Sequence, residues 1–451
     1  MPDIRPFRGL RYDPLNVPDL GAVLCPPYDI IEPDQRARLA ARDPRNAVHV
    51  ELPVGVPGGN PQAAYQHAAA TFGKWQADGT LRRDDRPLVY VYEQRYSLAD
   101  GGGQVADGGR QVADGGEQVV RGFFCRLALE QFGPASGVRA HERTMAAPKE
   151  DRYRLLSAVR ANLSPIVLLF DDADGTASTG LLERLTQGRP DQEGLDDGGV
   201  RHRLWAVDPA ASEDAAALLG LAGREPLTIA DGHHRYETAL AYRDEQRASV
   251  SAPGSAADYV LALLFDAQSG GLSVLPTHRV VRGVPESDAF LTALEELFTV
   301  TRQRRSEDLL SVLRRPAVAA TEWGSGRLGV WTRGGGALVE VDRERIDGLL
   351  PAGRSEALRA LDVTSLSVCL ERLIGRSASD LAADGRMVYT KDPHQAVELV
   401  DSGQADAAFV LAPTPIDAVL AVAAAGEQMP EKSTYFHPKA ATGLVFNPLA
   451  E

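Results

Sequence analysis

The residues best suited to chemistry follow one another in a single segment, Asp231-Gly232-His233-His234-Arg235. The apolar residues before this segment indicate a buried strand, and the residues after it indicate a helix. Because the first N–H groups of a helix have no partner within the helix, such a corner can bind an anion. Cationic side chains are unfavourable at the positive end of a helix dipole unless something negative lies among them. The segment therefore predicts a phosphate site, with packed histidines at an ordinary strand–turn–helix joint as the structural alternative. The phosphate-binding residues would be Gly232, His233, His234 and Arg235.

Chemistry on a bound phosphate also requires a group that activates the attacking hydroxyl. The carboxylates best placed to act as a base or to hold Mg²⁺ are Asp29, Glu51, Glu142 and Asp231. Among these we expect Asp231 or Glu51 to activate the hydroxyl. We expect His233 to stabilise charge on the transferring group. The predicted catalytic residues are therefore Glu51, Asp231 and His233.

A metal site held by the protein alone is another way to interpret the histidines. His233 and Glu237 are four residues apart and could share a helix face. However, the chain has no zinc-type HExxH spacing and no second histidine pair nearby. Its three cysteines, Cys25, Cys125 and Cys369, are far apart and odd in number, which favours a reducing compartment without structural zinc. We expect no protein-only metal site, and Mg²⁺ carried in by nucleotide phosphates.

Lys432-Ser433-Thr434 is a second candidate for phosphate binding. It resembles the end of a phosphate loop, but no Gly-rich cradle precedes it, so it is not a P-loop. Together with His437 and Lys439, it could equally contribute to an anion pocket or form an ordinary solvated loop. Further polar residues are candidates for the same pocket, although each is individually more often structural. These are Asp29, His141, Glu142, Arg143, Lys149, His278 and Arg279.

The elements that would position these residues alternate irregularly between strand and helix. This pattern predicts a mixed α/β or α+β fold. Residues 47–52 alternate in hydropathy and predict a strand with His49 and Glu51 on one face. A Gln-Val-Ala-Asp-Gly-Gly repeat near residues 104–118 predicts a hairpin tip to which we assign no function. With 451 residues, we expect two lobes: an N-terminal lobe over 1–248 that ends in the motif and its helix, and a C-terminal α/β lobe over 249–451.

Composition and charge narrow the classes of function. The net charge of −14 argues against nucleic-acid or acidic-membrane partners, and 44% hydrophobic residues are typical of a soluble globular protein. The N-terminus lacks an apolar signal core and the apolar runs are short, so we expect a cytoplasmic protein. The oligomeric state stays open. Most positive charge comes from arginine, so each lysine is easier to assess as a functional candidate. The lysines are Lys74, Lys149, Lys391, Lys432 and Lys439.

Four segments together resemble an uncharacterised prokaryotic family, domain-of-unknown-function family 1015. They are Cys-Pro-Pro-Tyr-Asp, His-Glu-Arg-Thr with Pro-Lys-Glu-Asp-Arg, Ile-Ala-Asp-Gly-His-His-Arg-Tyr-Glu-Thr-Ala and Met-Pro-Glu-Lys-Ser-Thr-Tyr-Phe. The resemblance extends along essentially the whole chain. It implies no activity by itself, although members are often encoded beside serine-biosynthesis genes.

More remotely, residues 232–236 resemble the Gly-Cys-His-Arg-Tyr turn of the ParB/sulfiredoxin superfamily, which includes a ParB-type free serine kinase with a similar Asp-Gly-His-His-Arg. The resemblance implies a ParB/sulfiredoxin-like nucleotide-binding core in which His234 and Arg235 hold nucleotide phosphates. The sulfiredoxin cysteine is replaced by His233, so sulfinic acid reduction loses its nucleophile. DNA-binding helices of the ParB type are not evident. The kinase's catalytic glutamate lies near its N-terminus, where Glu32 and Glu51 are candidates.

These observations lead to one function and two alternatives. We expect a nucleotide-dependent phosphotransferase that uses ATP, ADP or another nucleotide with Mg²⁺ and acts on a small hydroxyl-bearing metabolite, with serine as the first candidate. A phosphatase using the same pocket and a non-catalytic nucleotide sensor are the alternatives. We also expect Arg235→Ala to abolish nucleotide binding while the melting temperature changes by only a few degrees.

Overall fold

A computed structural model describes most of the chain. The described residues are 1–55, 60–97, 106–107, 110–111, 116–142, 144, 146–172, 176–249, 255–285, 287–314 and 320–449. Helices and strands alternate along them, which confirms the mixed α/β prediction. Arg143 and most of the glycine-rich repeat lie outside the described residues. The two described pieces of the repeat, Ala106–Asp107 and Arg110–Gln111, pair antiparallel.

The α-helices of this part of the chain differ widely in length. They are α1 (Leu20–Val23), α2 (Pro33–Arg42), α3 (Val48–Glu51), α4 (Pro61–Ala77), α5 (Ala146–Val159), α6 (Thr176–Leu185), α7 (Glu213–Ala222), α8 (His233–Ser249), α9 (Ser287–Leu294), α10 (Ser306–Leu313), α11 (Arg343–Asp347), α12 (Glu356–Ala360), α13 (Asp362–Ile374), α14 (Ala378–Ala383), α15 (Pro393–Asp401) and α16 (Ile416–Ala424).

The largest sheet has nine strands. Their order is β11 (Gln192–Leu195), β12 (Arg201–Val207), β4 (Val89–Ser97), β7 (Glu117–Ala128), β14 (Tyr259–Asp266), β10 (Ile166–Phe170), β13 (Leu227–Asp231) and β8 (Val138–Ala140), with β1 (Ile4–Arg5) beside β7. Most neighbours are antiparallel, but β10 runs parallel to β14 and β13 runs parallel to β8. The predicted buried strand of the motif, β13, therefore lies near one edge of this sheet.

A second sheet of six strands forms the other main layer. Its order is β17 (Thr299–Gln303), β19 (Gly335–Glu340), β18 (Arg327–Thr332), β21 (Ala407–Val410), β16 (His278–Val281) and β20 (Met387–Thr390). Smaller sheets consist of β22 (Tyr435–His437), β15 (Ser273–Leu275), β5 (Ala106–Asp107) and β6 (Arg110–Gln111), of β2 (Leu10–Tyr12) and β3 (Leu81–Arg83), and of β23 (Asn447–Pro448) and β9 (Ala161–Asn162).

Both faces of the large sheet are covered by hydrophobic cores. Because successive strand residues point to opposite sides, one strand contributes to both cores. From β10, Val167 and Leu169 enter a core shared with α1 to α5, whereas Leu168 enters a core shared with α6, α7 and α8. The C-terminal segment packs into the first of these cores, and Phe446 exchanges backbone hydrogen bonds of 2.9 and 3.0 Å with Leu10. This return brings residues 429–446 next to the N-terminal part of the chain.

The division after residue 248 stays a prediction. Strand β14 follows that point in the chain and is hydrogen-bonded between β7 and β10 in the large sheet. The six-stranded sheet has separate cores of its own. The ParB/sulfiredoxin-like character of the core also stays a prediction.

The strand predicted over residues 47–52 is wrong, since residues Val48–Glu51 form the short helix α3. The side chain of Asn46 accepts a hydrogen bond from the Val48 N–H at 2.9 Å and donates to the carbonyls of Ala22 and Leu24. These bonds stabilise a helical start that hydropathy alternation alone does not reveal. Glu51 is buried as a result, and it leaves the face on which a strand would have placed it.

Candidate functional site

The motif forms the predicted strand–turn–helix corner. Strand β13 ends at Asp231, Gly232 makes the turn, and α8 begins at His233. Gly232 has a φ of 93°, a left-handed conformation that favours glycine, and a Cβ there would lie 3.2 Å from the Arg235 guanidinium. The first helical bond runs from the Tyr236 N–H to the Gly232 carbonyl at 2.9 Å. The N–H groups of the first turn come before that bond, so they have no partner within the helix. An anion site at a helix start requires such N–H groups.

A cavity of about 280 Å³ opens onto this corner. Its walls come from segments that are far apart in sequence: the N-terminal 3₁₀ turn, the corner, the end of β20 and the C-terminal segment around β22. The lining residues include Tyr28, Asp29, Glu32, Glu142, Asp231, Gly232, His233, His234, Arg235, Thr277, Tyr389, Thr390, Lys391, Lys432, Thr434, Tyr435 and Lys439.

Three of the chain's five lysines line the cavity: Lys391, Lys432 and Lys439. The ammonium groups of Lys391 and Lys439 lie 3.9 and 4.5 Å from the centre of the Tyr435 ring. Within the described part of the chain, neither Lys391 nor Lys432 has an ion-pair partner. A fourth lysine, Lys149, does not line the cavity. Its side chain instead pairs with a glutamate of α8 at 2.7 Å. The positive charge available to a ligand therefore comes largely from residues C-terminal to the motif.

Asp231 and Arg235 are engaged with each other and with the C-terminal segment. Arg235 donates from Nη2 to Asp231 Oδ2 at 2.6 Å and from Nη1 to the Pro165 carbonyl, and Lys439 donates to Asp231 Oδ1. Burial alone would raise the pKa of Asp231, but Lys439 and Arg235 hold that pKa far below its ordinary value. Asp231 is therefore a poor proton acceptor, contrary to its predicted role as a base.

The histidines of the corner are neutral at neutral pH. Burial lowers the pKa of His233 well below its ordinary range, and the neighbouring His141 lowers it further. Burial and the charge of Lys432 lower the pKa of His234. Two of the three cations expected at the helix start are thus uncharged. The ring of His233 contacts that of His141 edge to face, with 4.8 Å between centroids, and its Nε2 is buried without a hydrogen-bond partner among the described residues.

Two acidic residues of the cavity retain a part in the site. Asp29 lies in a 3₁₀ turn, Tyr28–Ile30, and its charge raises the pKa of both Arg235 and Lys439. Glu142 pairs with Met429 through a parallel bridge, and burial raises its pKa. Carboxylates and ammonium groups therefore line the same space, which suits a metal-bearing phosphate ligand better than either sign alone.

The structure places Glu51 and Ser433 outside this cavity. Glu51 accepts a hydrogen bond from the Ser164 hydroxyl at 2.9 Å and lines a separate cavity of about 50 Å³, which it shares with Arg235. Ser433 is buried and donates its hydroxyl proton to the Pro430 carbonyl. The predicted roles of Glu51 as a base and of Ser433 as a phosphate ligand do not fit these positions.

His278 and Arg279 are also displaced from the cavity. His278 accepts from the Leu411 N–H at 3.2 Å, and burial lowers its pKa to about 4. Arg279 donates to the Lys432 carbonyl at 2.9 Å, while burial lowers its pKa to about 10. Arg279 therefore supports the segment that carries Lys432 rather than facing a ligand.

Over the described residues, no group of three or more histidine, cysteine, aspartate or glutamate side chains is arranged to hold a metal ion. Among the helices of these same residues, none combines the length and the apolar character needed to cross a membrane.

A family model described as "Protein of unknown function (DUF1015)" matches residues 4–364. The chain belongs to this family. The match includes Gly232 and Arg235, whereas Lys391, Lys432 and Lys439 lie beyond its C-terminal end. The cavity of this DUF1015 protein is thus completed by residues outside the matched range.

Other comparisons give only distant likenesses. No curated protein matches the chain. A conserved hypothetical protein from Pyrococcus furiosus is similar with a TM-score of 0.33 and 12% identity over 66% of this chain and 87% of that one. A free serine kinase in complex with AMP is similar with a TM-score of 0.34 and 12% identity over 66% and 83%. SbnI with a C-terminal truncation, from Staphylococcus aureus, gives 0.35 and 13% over 71% and 87%. These likenesses are too distant to assign an activity.

The sequence does not reveal several cavity residues, namely Tyr28, Thr277, Tyr389, Lys391 and Tyr435. A signal is present for Lys391, because lysines are so few in an arginine-rich chain. The aromatic residues gave no comparable signal, since tyrosines are also common in cores.

Proposed function

We propose that the cavity binds the phosphates of a nucleotide, ATP or ADP with Mg²⁺, and transfers a phosphoryl group to the hydroxyl of a small polar metabolite. One observation carries this proposal: three of five lysines and the first turn of α8 converge on one cavity of about 280 Å³. Phosphoryl transfer depends mainly on positioning and charge stabilisation, and this cavity offers groups for both.

The arrangement suggests a division of labour between the two ends of the cavity. The N–H groups at the start of α8, together with Lys391 and Lys432, would bind phosphate oxygens. Arg235 and Lys439 would hold the corner in place through Asp231 instead of contacting the ligand as principal clamps.

Glu32 is the carboxylate that we propose as the base for the acceptor hydroxyl. It is exposed and lines the cavity, whereas Asp231 has both oxygens engaged by cations and Glu51 lies in another cavity. Asp29 and Glu142 then remain as candidate ligands for Mg²⁺. Of the two N-terminal glutamates suggested by the resemblance to the serine kinase, the geometry supports Glu32.

Cavity size limits how much of a nucleotide can be enclosed. Sites that bury most of a drug-sized ligand usually measure about 300–1,000 Å³, and this cavity is slightly smaller. We therefore expect it to enclose the phosphates and the acceptor, with the base and ribose near its mouth. Serine is the first acceptor to test because the motif resembles that of a free serine kinase.

The test is calorimetric titration of the protein with ATP, ADP and CTP in the presence of Mg²⁺, followed by an assay for phosphoserine and free phosphate with serine present. Lys432→Ala should weaken nucleotide binding about 10–100-fold, the worth of one hydrogen bond to a charged group. Lys74→Ala is the matched control, because Lys74 is exposed on α4 and does not line the cavity.

Each outcome distinguishes the hypotheses. Phosphoserine formation supports the transferase, release of phosphate without phosphoserine supports a phosphatase, and binding without turnover over a panel of hydroxyl metabolites supports a sensor. If the wild-type protein binds none of the nucleotides, or if Lys432→Ala binds them as tightly as Lys74→Ala does, the phosphate assignment is wrong.

A further inference from the structure

A threonine hydroxyl of the cavity is hydrogen-bonded to a buried histidine. Thr434 Oγ1 lies 3.2 Å from His141 Nε2, and His141 Nδ1 lies 2.6 Å from the Ile229 carbonyl oxygen. Because a carbonyl can only accept, Nδ1 carries the hydrogen of the neutral ring. Nε2 therefore presents a lone pair, and the Thr434 hydroxyl is the donor. The tautomer of His141 is set by the backbone of β13.

The surroundings keep this histidine neutral and fixed. His141 is fully buried, and burial lowers its pKa to about 4. Its own carbonyl accepts from the Met429 N–H at 2.7 Å, which ties the start of the C-terminal segment to the end of β8. The histidine is thus also joined through its backbone to the segment that carries Thr434.

These three groups have the geometry of an activated nucleophile. A hydroxyl is a weak nucleophile until an adjacent base, itself oriented by a third group, can accept its proton. Here the hydroxyl is Thr434, the base is His141 Nε2, and the orienting group is the Ile229 carbonyl. Thr434 is half-buried and lines the same cavity as Lys432 and the first turn of α8. A phosphate bound there would lie beside the hydroxyl.

We propose that Thr434 is a covalent carrier of the phosphoryl group, an inference that rests on the proposed nucleotide-binding function. In the first step, Thr434 Oγ1 forms a bond to the terminal phosphorus of the nucleotide, and the bond from that phosphorus to its bridging oxygen breaks. The leaving nucleotide takes the bonding electrons, and the hydroxyl proton moves to His141 Nε2. The Ile229 carbonyl and the charge of Asp231 favour the protonated ring, whereas burial and the charge of Lys439 oppose it.

The second step reverses these transfers towards the acceptor. The acceptor oxygen bonds to phosphorus, the bond between phosphorus and Thr434 Oγ1 breaks, and Oγ1 recovers its proton from His141. The acceptor's own proton passes to a cavity carboxylate, for which Glu32 is the candidate. The reaction is therefore two displacements with a phosphothreonine between them, and it requires no co-reactant beyond the nucleotide and the acceptor.

The experiment uses the full chain with ATP labelled in the γ-phosphate and Mg²⁺ but without acceptor. Acid-stable label is mapped by tandem mass spectrometry, and exchange of labelled ADP into ATP is followed in parallel. We expect label on Thr434 and measurable exchange. Thr434→Val should reduce both to background, and Thr434→Ser should retain both because it keeps a hydroxyl. Thr434→Val should change the nucleotide Kd by less than about tenfold, the most that one neutral hydrogen bond contributes.

Thr442→Val is the matched control. Thr442 lies in the same segment, is fully buried, and its hydroxyl has no hydrogen-bond partner among the described residues. The Thr442→Val protein should acquire label on Thr434 and exchange ADP into ATP as the wild type does. The carrier is refuted if the wild type binds ATP and phosphorylates an acceptor without label on Thr434, or if Thr434→Val still supports exchange. Those results leave the proposed function intact, whereas absence of any nucleotide binding overturns both.

Discussion

Asp231→Asn tests the charge arrangement on which the corner depends. The aspartate side chain is 13% exposed, and its two oxygens accept from Arg235 and Lys439, whose side chains are 11% and 12% exposed. Asparagine has nearly the same shape but no charge, and its amide group would face one of the two cations. The substitution therefore leaves two largely buried cations without their shared anion, and we expect it to destabilise the protein.

The size of the effect follows from the burial of the three groups. Removing one partner of a buried ion pair typically costs about 3–5 kcal/mol. The entropy of unfolding is roughly 2.1 cal/mol/K per residue, which for 451 residues amounts to about 0.9 kcal/mol/K. If the whole chain unfolds in one transition, the melting temperature should fall by about 3–5 °C. The shift is modest because the chain is long, so calorimetry with repeated scans is the appropriate assay.

The pKa of Asp231 also predicts how the difference in melting temperature changes with pH. The pKa of Asp231 is depressed in the folded protein from an ordinary value of 3.8, with Lys439 and Arg235 overcoming the opposing effect of burial. A depressed pKa stabilises the folded state above the unfolded pKa, and this contribution is lost as pH falls towards the folded pKa. The difference in melting temperature between wild type and Asp231→Asn should therefore be constant from about pH 6 to 8 and shrink below about pH 4.

A matched substitution separates this effect from a general loss of surface charge. Asp214 pairs with Arg184 at 2.8 Å, and both side chains are exposed. Exposed ion pairs contribute little to stability, so Asp214→Asn should have the same melting temperature as the wild type at every pH. If Asp231→Asn also melts with the wild type, the buried cations are not held by Asp231 and the description of the corner is incorrect.

Two further predictions separate structural from catalytic roles. Glu32→Gln should lower turnover about 10²–10⁴-fold, while the nucleotide Kd from calorimetry stays unchanged. Glu51→Gln should instead change the melting temperature and leave turnover intact. The reverse pattern would show that Glu51, and not Glu32, is the base. Arg235→Ala should lose nucleotide binding together with about 3–5 °C of melting temperature, because Asp231 and the Pro165 carbonyl both lose a partner; tight binding by this variant would show that the corner does not need Arg235.

Some parts of the site could be predicted from the sequence because they are local. The turn at Gly232, the strand before it and the helix after it depend on neighbouring residues, and the structure contains all three. The strand predicted around Glu51 is wrong although that segment is equally local. Four residues with alternating hydropathy fit a strand as well as a single helical turn, and the Asn46 contacts that favour the turn involve residues more than twenty positions away.

Other parts could not be predicted because they depend on distant contacts. Lys391 and Lys439 reach the cavity only through the pairing of β20 in one sheet and of β22 in another. The charge of His233 depends on burial and on His141, which directly follows the neighbouring strand β8. A sequence shows that a histidine is present but not whether its surroundings permit a proton.

The structure also changes the reason for expecting a phosphate. Three cations at a helix start would require an external anion. In the folded protein Asp231 supplies the anion for Arg235, and the two histidines are neutral, so the charge of the corner requires no external anion. Lys391 and Lys432 line the same cavity as the helix start, and neither has an ion-pair partner among the described residues. The case for a phosphate ligand therefore depends on these lysines. For this reason Lys432→Ala should weaken binding without loss of stability, whereas Arg235→Ala should affect both.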